Sequence, residues 1–147
     1  MKQKLIASLP YLGFLTALSS TVISLGFSEI AHIPPCTLCW YQRIAMYPLV
    51  AIFAVGILRK DRGLSIYVLP ISIAGLLVAL YHNLIYFKII PEVITTCING
   101  ISCTSREQTL AGFVTIPLLS FLAFALITAS MVLYSHFSKD QVKNLKS

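Results

Sequence analysis

Four cysteines, arranged as two pairs, are the residues of this chain whose type and spacing indicate chemistry. The first pair, Cys36 and Cys39, has two residues between its members and directly precedes an apolar run. The second pair, Cys97 and Cys103, lies in the one long polar segment between apolar runs. If both pairs lie at one face of a membrane, disulfide exchange between them could pass an electron pair from an outside donor to an acceptor in the lipid.

The first pair lies where a helix is expected to begin. Pro34 and Pro35 fix the entering backbone, and the N–H groups at the start of a helix favour an anion. The position therefore favours a thiolate, which is the form that attacks disulfides. Arg43 follows Cys39 by four residues and shares its helical face, so its guanidinium could stabilise a thiolate or donate to a carbonyl-bearing ligand.

The second pair encloses Asn99-Gly100, a turn-forming sequence that would bring the two sulfurs together. A disulfide that closes so short a loop constrains the unfolded chain only modestly, which favours a redox role over the alternative of a loop-stabilising disulfide. For the first pair, the alternatives are an inert disulfide and half of a four-cysteine zinc site, although the spacing of Cys97 and Cys103 is wide for zinc. For Arg43 the alternative is an interfacial residue that extends to the lipid headgroups.

Composition indicates an integral membrane protein. Of the 147 residues, 57% are hydrophobic and 11% are charged, against about 25% charged in soluble domains, and the mean hydropathy is +0.84. Apolar runs long enough to cross the hydrocarbon core predict one membrane domain, 1–147, an all-α bundle of four transmembrane helices. The predicted helices span about 5–27, 40–58, 64–87 and 113–135, with loops at about 28–39 and 88–110 on one side. Prolines 10, 48, 70 and 117 lie in these runs and predict kinks rather than breaks.

The placement of Lys and Arg predicts the orientation. Eight of the 11 lie at the N-terminus, in the second loop and in the C-terminal tail, and such segments are typically cytoplasmic. Both termini are therefore predicted to be cytoplasmic, with both cysteine pairs on the outer face of the cell membrane. These basic patches adjoin apolar runs and lack the polar or aromatic partners of a nucleic-acid site. Ala17-Leu18-Ser19 resembles a signal-peptide cleavage site, but the length of the first run favours a retained helix.

These residues together resemble the DsbB family of membrane thiol oxidases, and they are most similar to the shorter Gram-positive type often called BdbC. The segment from Cys36 to Arg43 matches the family's Cys-x-x-Cys motif with an arginine four residues further on. The run Trp40–Pro48, the tight Cys97…Cys103 loop, and Gly112-Phe113 with Pro117 opening the fourth helix also fit.

The resemblance implies a thiol:quinone oxidoreductase. Such an enzyme reoxidises an extracytoplasmic thioredoxin-like disulfide oxidase (DsbA/BdbD-like) and passes the electrons to a membrane quinone, either menaquinone or ubiquinone. The site residues it implies are four catalytic cysteines and two quinone-binding side chains: Cys36, Cys39, Cys97, Cys103, Arg43 and His82. Cys97 would be attacked by the partner's thiolate, and Cys103 would resolve the mixed disulfide. Reducing equivalents would pass to the Cys36–Cys39 pair, Cys39 would be the thiolate facing the quinone ring, and Arg43 would hold a quinone oxygen. For His82 the alternative is an interfacial histidine bonded to a backbone carbonyl.

Other functions remain as competing hypotheses. The main alternative is a non-enzymatic membrane protein with structural disulfides or a metal site made by all four cysteines, although we predict no bound metal. A permease would suggest charged residues inside the spans, where Arg43 is the only candidate. A carrier of reductant across the membrane would need cysteines in the bundle or on the inner side, and a vitamin-K-reductase-like enzyme would share the four-helix, quinone-facing arrangement.

Overall fold

Four long helices make up most of the protein. The computed structural model describes residues 2–30, 32, 35–90, 109–111 and 114–146. The helices are α1 (Lys2–Glu29), α2 (Thr37–Leu58), α3 (Leu64–Tyr86) and α4 (Ile116–Lys146), and two short antiparallel strands, β1 (Thr109–Ala111) and β2 (Val114–Thr115), precede α4. All four helices are long and apolar enough to cross a membrane, so the predicted four-helix membrane bundle is confirmed.

The helices pack in a ring, in which α1 and α3 each lie against α2 and α4. Because consecutive helices run in opposite directions, the start of α2, the end of α3 and the start of α4 share one end of the bundle. We call this the cysteine end, since Cys36 lies there. The chain on either side of residues 91–108 joins the bundle at this end, through Ile90 and Thr109.

The outer surface of the ring is strongly apolar within the spans. Large side chains such as Leu58, Ile66 and Ile44 are 82%, 72% and 63% exposed. A soluble monomer rarely presents so much contiguous apolar area, whereas a bilayer accommodates it directly. The exposed side chains therefore mark the lipid-facing surface.

Three helices begin about three residues away from the sequence-based bounds, the first of them α1, which begins at Lys2 and not near residue 5, and α4 extends to Lys146, past its predicted end near 135. α2 starts at Thr37 rather than near residue 40, so that Cys36 becomes its N-cap residue. α4 starts at Ile116 rather than near 113, and places Pro117 in the first turn, where its missing N–H removes no helical hydrogen bond. Prolines 10, 48 and 70 lie inside helices that continue past them, so none of them breaks its helix.

α2 and α3 have the same kind of C-terminal cap, although their C-termini lie at opposite ends of the bundle. Lys60 and Lys88 take positive φ values of 50° and 58° just after the two helices. In each case the amide of the next residue donates to a carbonyl five residues back, at 2.9 Å, which is the Schellman arrangement usually built on glycine. Each lysine also puts a positive charge at the negative end of a helix dipole.

Glycines set the closest approaches between helices. Gly75 of α3 faces the buried ring of Phe124 on α4, and Gly13 of α1 faces Phe53 of α2, where an added Cβ would lie closer than any normal contact. Small residues at helix interfaces allow this close packing, which is the main source of helix association in lipid. Asn83 adds a polar clamp, because its Nδ2 donates to the carbonyls of Ala79 and Pro117 at 2.8 and 2.9 Å.

We predict that Gly75→Ala destabilises the bundle, because its new methyl group would overlap the fully buried Phe124 ring. Overpacking of this kind costs about 1–3 kcal/mol. Thermal unfolding of the purified protein in detergent measures the effect. The matched control is Gly26→Ala on α1, where a Cβ meets nothing within 4 Å. Equal melting temperatures for the two variants would contradict the packing described here.

Candidate redox site at the cysteine end

Cys36 and Cys39 form a dithiol in contact at the start of α2. Their sulfurs lie 2.8 Å apart, and the amide of Cys39 donates to Cys36 Sγ at 3.4 Å. Cys36 is only 2% exposed, while Cys39 is half-buried. The N-cap position directs the amides of the first helical turn towards Cys36. A disulfide would need the sulfurs to close only to about 2.05 Å.

Two buried polar side chains, His82 and Gln42, lie next to Cys36. His82 of α3 is fully buried and its Nε2 is 3.7 Å from Cys36 Sγ. On the other side of the ring, Nδ1 lies 3.1 Å from Nε2 of Gln42, which is 6% exposed. Uncharged polar side chains within membrane spans are expensive to bury without partners. The three residues therefore satisfy one another across the α2–α3 interface.

Arg43 is anchored to α1, on the other side of α2. Its Nε donates to Ser24 Oγ at 2.9 Å and one terminal nitrogen donates to the Ser24 carbonyl at 2.8 Å. The same nitrogen contacts Ser28 Oγ. The guanidinium also lies 5.8 Å from the Trp40 ring, within cation–π range. Among the described residues, no acceptor is found for the other terminal nitrogen, so two N–H groups remain for a ligand.

A cavity of about 200 Å³ opens beside Cys39, between α1, α2 and α4. Its wall is mostly apolar and includes Cys39, Arg43, Met46 and Leu119. For comparison, an apolar cavity of about 150 Å³ can hold benzene. The space therefore fits a planar ring system next to one cysteine sulfur. Because Leu119 is 42% exposed, the cavity borders the lipid-facing surface.

Two hydroxyl groups in the cavity wall have no hydrogen-bond partner among the residues that the structure describes. Thr21 and Tyr47 both line the cavity, and their side-chain oxygens are buried without a hydrogen bond within the described part of the chain. Leaving a buried hydroxyl unsatisfied costs about 1–3 kcal/mol. A ligand with carbonyl oxygens would satisfy these groups, and a purely apolar ligand would not. The donors of the cavity thus fit a quinone head group.

Arg43 lines the same cavity wall as Cys39, and its role towards a quinone stays a prediction. The structure places His82 elsewhere, because the side chain contacts Cys36 and is not among the residues that line the cavity. Of the aromatic side chains near the start of α2, Tyr47 lines the cavity, whereas Trp40 and Tyr41 are 54% and 55% exposed. Cys97 and Cys103 lie outside the described residues.

Sequence reasoning missed the residues that hold the site together. Gln42 was not singled out, although an amide inside an apolar span is itself a signal of a buried polar contact. Ser24 and Ser28 were also missed. Their spacing of four residues puts both hydroxyls on one face of α1, and this hydroxyl face is the signal that could have revealed the anchor for Arg43.

Cys36, Cys39 and His82 also have a geometry that could bind a metal ion. The ligand atoms of Cys36, Cys39 and His82 all lie within 4.8 Å of one another. Two thiolates and an imidazole suit a soft ion such as Zn²⁺. A complete tetrahedral site would need a fourth ligand, and the absence of a resident metal stays a prediction.

Comparisons with known proteins agree on one kind of protein. The family model described as "Disulfide bond formation protein DsbB" matches residues 7–134. A "Probable disulfide formation protein C 2" of Bacillus anthracis is 45% identical over 125 residues, covering 85% of this chain and 87% of that protein. A "Disulfide bond formation protein C" of Bacillus subtilis is 40% identical over 125 residues, covering 84% and 89%. No solved structure matches the chain significantly.

Proposed function

This chain belongs to the DsbB family of disulfide bond formation proteins, and from that premise we propose that it is a thiol:quinone oxidoreductase. It reoxidises an extracytoplasmic thioredoxin-like disulfide oxidase of the DsbA/BdbD kind and passes two electrons to menaquinone or ubiquinone. One observation carries this proposal. The dithiol of Cys36 and Cys39 lies in contact at a helix N-terminus, with Cys39 at the wall of a ring-sized cavity that also holds Arg43.

The family and the site support a route that enters through the second cysteine pair. The partner's thiolate attacks Cys97 of the Cys97–Cys103 disulfide, which releases Cys103 as a thiol. The partner's second cysteine then displaces Cys97 from the mixed disulfide, so that the partner is oxidised and Cys97 and Cys103 are both left as thiols. These thiols then reduce the Cys36–Cys39 disulfide by exchange. Because Cys36 is 2% exposed and Cys39 is half-buried, a short segment of this chain can approach them more easily than a folded partner can.

Arg43 and the cavity hydroxyls would hold the electron acceptor. A bound quinone supplies a two-electron, two-proton acceptor dissolved in the lipid. The two N–H groups of Arg43 that have no acceptor among the described residues would donate to a quinone oxygen, while Ser24 and Ser28 keep the guanidinium in place. Thr21 and Tyr47 offer further donors in the same wall. Cys39, as the cysteine that lines the cavity, faces the ring.

The charge distribution supports an outward-facing site. The cytoplasmic face of a membrane protein carries the excess of Lys and Arg. Eight of the 11 lie in the two termini and the α2–α3 loop, at the end of the bundle opposite the cysteine end. Both termini are therefore proposed to be cytoplasmic, and the dithiol faces the oxidising side, where thiol oxidases work.

We expect the purified protein to reduce quinone when it is given a reduced thioredoxin-like oxidase, with one quinol formed per two thiols consumed. Ultraviolet absorbance measures the reduction of the quinone, and thiol trapping measures the oxidation of the thioredoxin-like oxidase. Cys39→Ala and Cys97→Ala should each leave the oxidase reduced, because each removes one step of the relay. In cells, depletion of quinone should make the cysteines accumulate as thiols. If both variants keep the oxidase oxidised, the relay is wrong.

We predict that Arg43→Ala raises the KM for quinone by about tenfold or more, the size of a lost hydrogen bond from a charged group. Disulfide exchange with the thiol partner should continue, since Arg43 has no part in that step. Steady-state rates at varied quinone concentration test this. The matched control is Arg59→Ala, which removes an exposed arginine at the other end of the bundle. An unchanged KM for Arg43→Ala would refute this role.

We expect an impermeant maleimide to label Lys88→Cys, but not Arg59→Cys, on intact cells. The two exposed positions lie at opposite ends of the bundle, and each is introduced into a chain whose own four cysteines are replaced by serine. Labelling after cell lysis provides the control, because both variants should then react. The reverse pattern on intact cells would put the dithiol in the cytosol and end the proposal.

A further inference from the structure

We propose that a second cavity, at the end of the bundle opposite the dithiol, binds the phosphate head group of an anionic phospholipid through Lys60 and Arg62. We call it the basic cavity. It has a volume of about 330 Å³ and is lined by residues of all four helices and of the α2–α3 loop. In the orientation proposed above, this end faces the cytoplasm, so the lipid belongs to the inner leaflet. Binding of such a lipid does not depend on the redox chemistry at the other end.

The wall of the basic cavity has a charged part and an apolar part. Lys60 and Arg62 line it from the α2–α3 loop, together with Asp61 and with Tyr134 of α4. The rest of the wall is mostly apolar and consists of Ala7, Pro10, Tyr11, Gly56, Ile57 and Leu64. A phospholipid has the same two parts, because its charged phosphate is joined to an apolar acyl region. A small free anion would match the charged part alone.

The carboxylate in this wall already has a partner in its own loop. Oδ1 of Asp61 accepts a hydrogen bond from the amide of Gly63 at 2.7 Å. Within the described part of the chain, Lys60 and Arg62 form no ion pair, and both side chains are exposed. The charge of Asp61 opposes the binding of an anion, but it balances only one of the two cations. Arginine binds phosphate through paired N–H donors and lysine binds it as a point charge, so both cations are suited to a phosphate.

The net charge of the protein is concentrated at this end of the bundle. Eight of the 11 Lys and Arg, but two of the five Asp and Glu, belong to the two termini and the α2–α3 loop. That imbalance equals the formal net charge of the whole chain, +6. Basic pockets between transmembrane helices on the cytoplasmic side are known to bind anionic head groups. The charge distribution therefore favours an anionic lipid over a zwitterionic one.

Tyrosines mark the depth of the basic cavity in the membrane. Tyr11 and Tyr134 line it, and Tyr67, near the start of α3, is 59% exposed. Tyrosine is enriched where the hydrocarbon core meets the head groups. Leu58 and Ile66, which flank the α2–α3 loop, are 82% and 72% exposed, so the lipid-facing surface reaches the level of this cavity. The basic cavity therefore lies at the depth of lipid phosphate groups.

The α2–α3 loop presents its cations from an ordered backbone. Lys60 has a positive φ of 50°, and the amides of Lys60 and Asp61 donate to the carbonyls of Ile57 and Gly56 at 3.1 and 2.9 Å. Because these hydrogen bonds already order the loop, binding costs the freedom of side chains rather than of backbone. Asparagine tolerates positive φ better than other non-glycine residues, so Lys60→Asn removes the charge and keeps this geometry.

Native mass spectrometry of the full-length protein in an uncharged detergent measures the binding. Phosphatidylglycerol and phosphatidylcholine with identical acyl chains are titrated separately, and complexes with one lipid per chain are counted. We expect phosphatidylglycerol to bind about fivefold more tightly or better, because the choline group is repelled by the same cations. Lys60→Asn and Arg62→Gln should each weaken the binding of phosphatidylglycerol about fivefold, the contribution of one cation near a membrane surface.

Lys88→Asn is the matched control for Lys60→Asn. Lys88 is also exposed, has a φ of 58° and follows its helix with the same backbone hydrogen bonds, but it lies at the cysteine end. Its replacement should leave the binding of phosphatidylglycerol unchanged. Equal losses in the two variants would indicate attraction by surface charge without a site, and would overturn the proposal.

A second pair of variants tests the cavity without altering any charge. Ala7→Trp places a large ring in the wall of the basic cavity and should abolish the complex with one phosphatidylglycerol. Ala51→Trp places the same ring on the exposed surface of α2, outside that wall, and should have no effect. Unchanged binding in Ala7→Trp would show that the lipid does not occupy the cavity.

Inorganic phosphate distinguishes a lipid from a soluble anion. In large excess it should not displace phosphatidylglycerol, because it cannot cover the apolar part of the wall. Displacement would assign the cavity to free phosphate, and equal affinity for the two lipids would remove the role of the cations; either result overturns the proposal. Thermal unfolding of each variant in detergent shows which of them are folded. Arg62→Gln and Ala7→Trp decide the result if Lys60→Asn unfolds.

Discussion

The structure depends on one constraint: polar groups inside the membrane spans must find their partners within the bundle. Lipid offers no hydrogen bonds, so an arginine, a histidine and a glutamine in apolar helices each need a neighbour on another helix. Arg43 finds serines on α1, and His82 links Gln42 to Cys36 between α3 and α2. These contacts tie three helices together at the cysteine end, and they surround the candidate redox site.

Away from the cysteine end, the bundle is held together mainly by close packing of side chains. Glycines opposite large rings, as with Gly75 and Phe124, bring the helices close, and the polar contact between Ser72 and Thr128 supplements this packing. A second cavity, of about 330 Å³, opens at the opposite end of the bundle beside Lys60 and Arg62. Beside Cys39 the α1, α2 and α4 walls carry Thr21, Met46 and Leu119 around an open cavity. The contact with the Cys36–Cys39 dithiol, and not cavity size, therefore distinguishes the cavity beside Cys39 as the candidate site.

The sequence was sufficient for the architecture and for part of the site. The lengths of the apolar runs predicted four spans, and Pro34-Pro35 before Cys36 predicted a helix start at the first cysteine pair. The helix ends near Lys60 and Lys88 were harder to predict from the sequence, because lysines occupy the positive-φ positions where glycine usually marks the end of a helix. The contacts of His82, Gln42 and Ser24 depend on how each helix is rotated about its axis. Side-chain packing across the whole bundle sets that rotation, and a single sequence does not reveal it.

The near-complete burial of Cys36 would also bear on selectivity. A side chain that is only 2% exposed is screened from folded proteins that approach the bundle from outside. Under the proposed function, this screening would keep unrelated proteins from passing electrons to the quinone, and the choice of client would be made at a surface away from the acceptor.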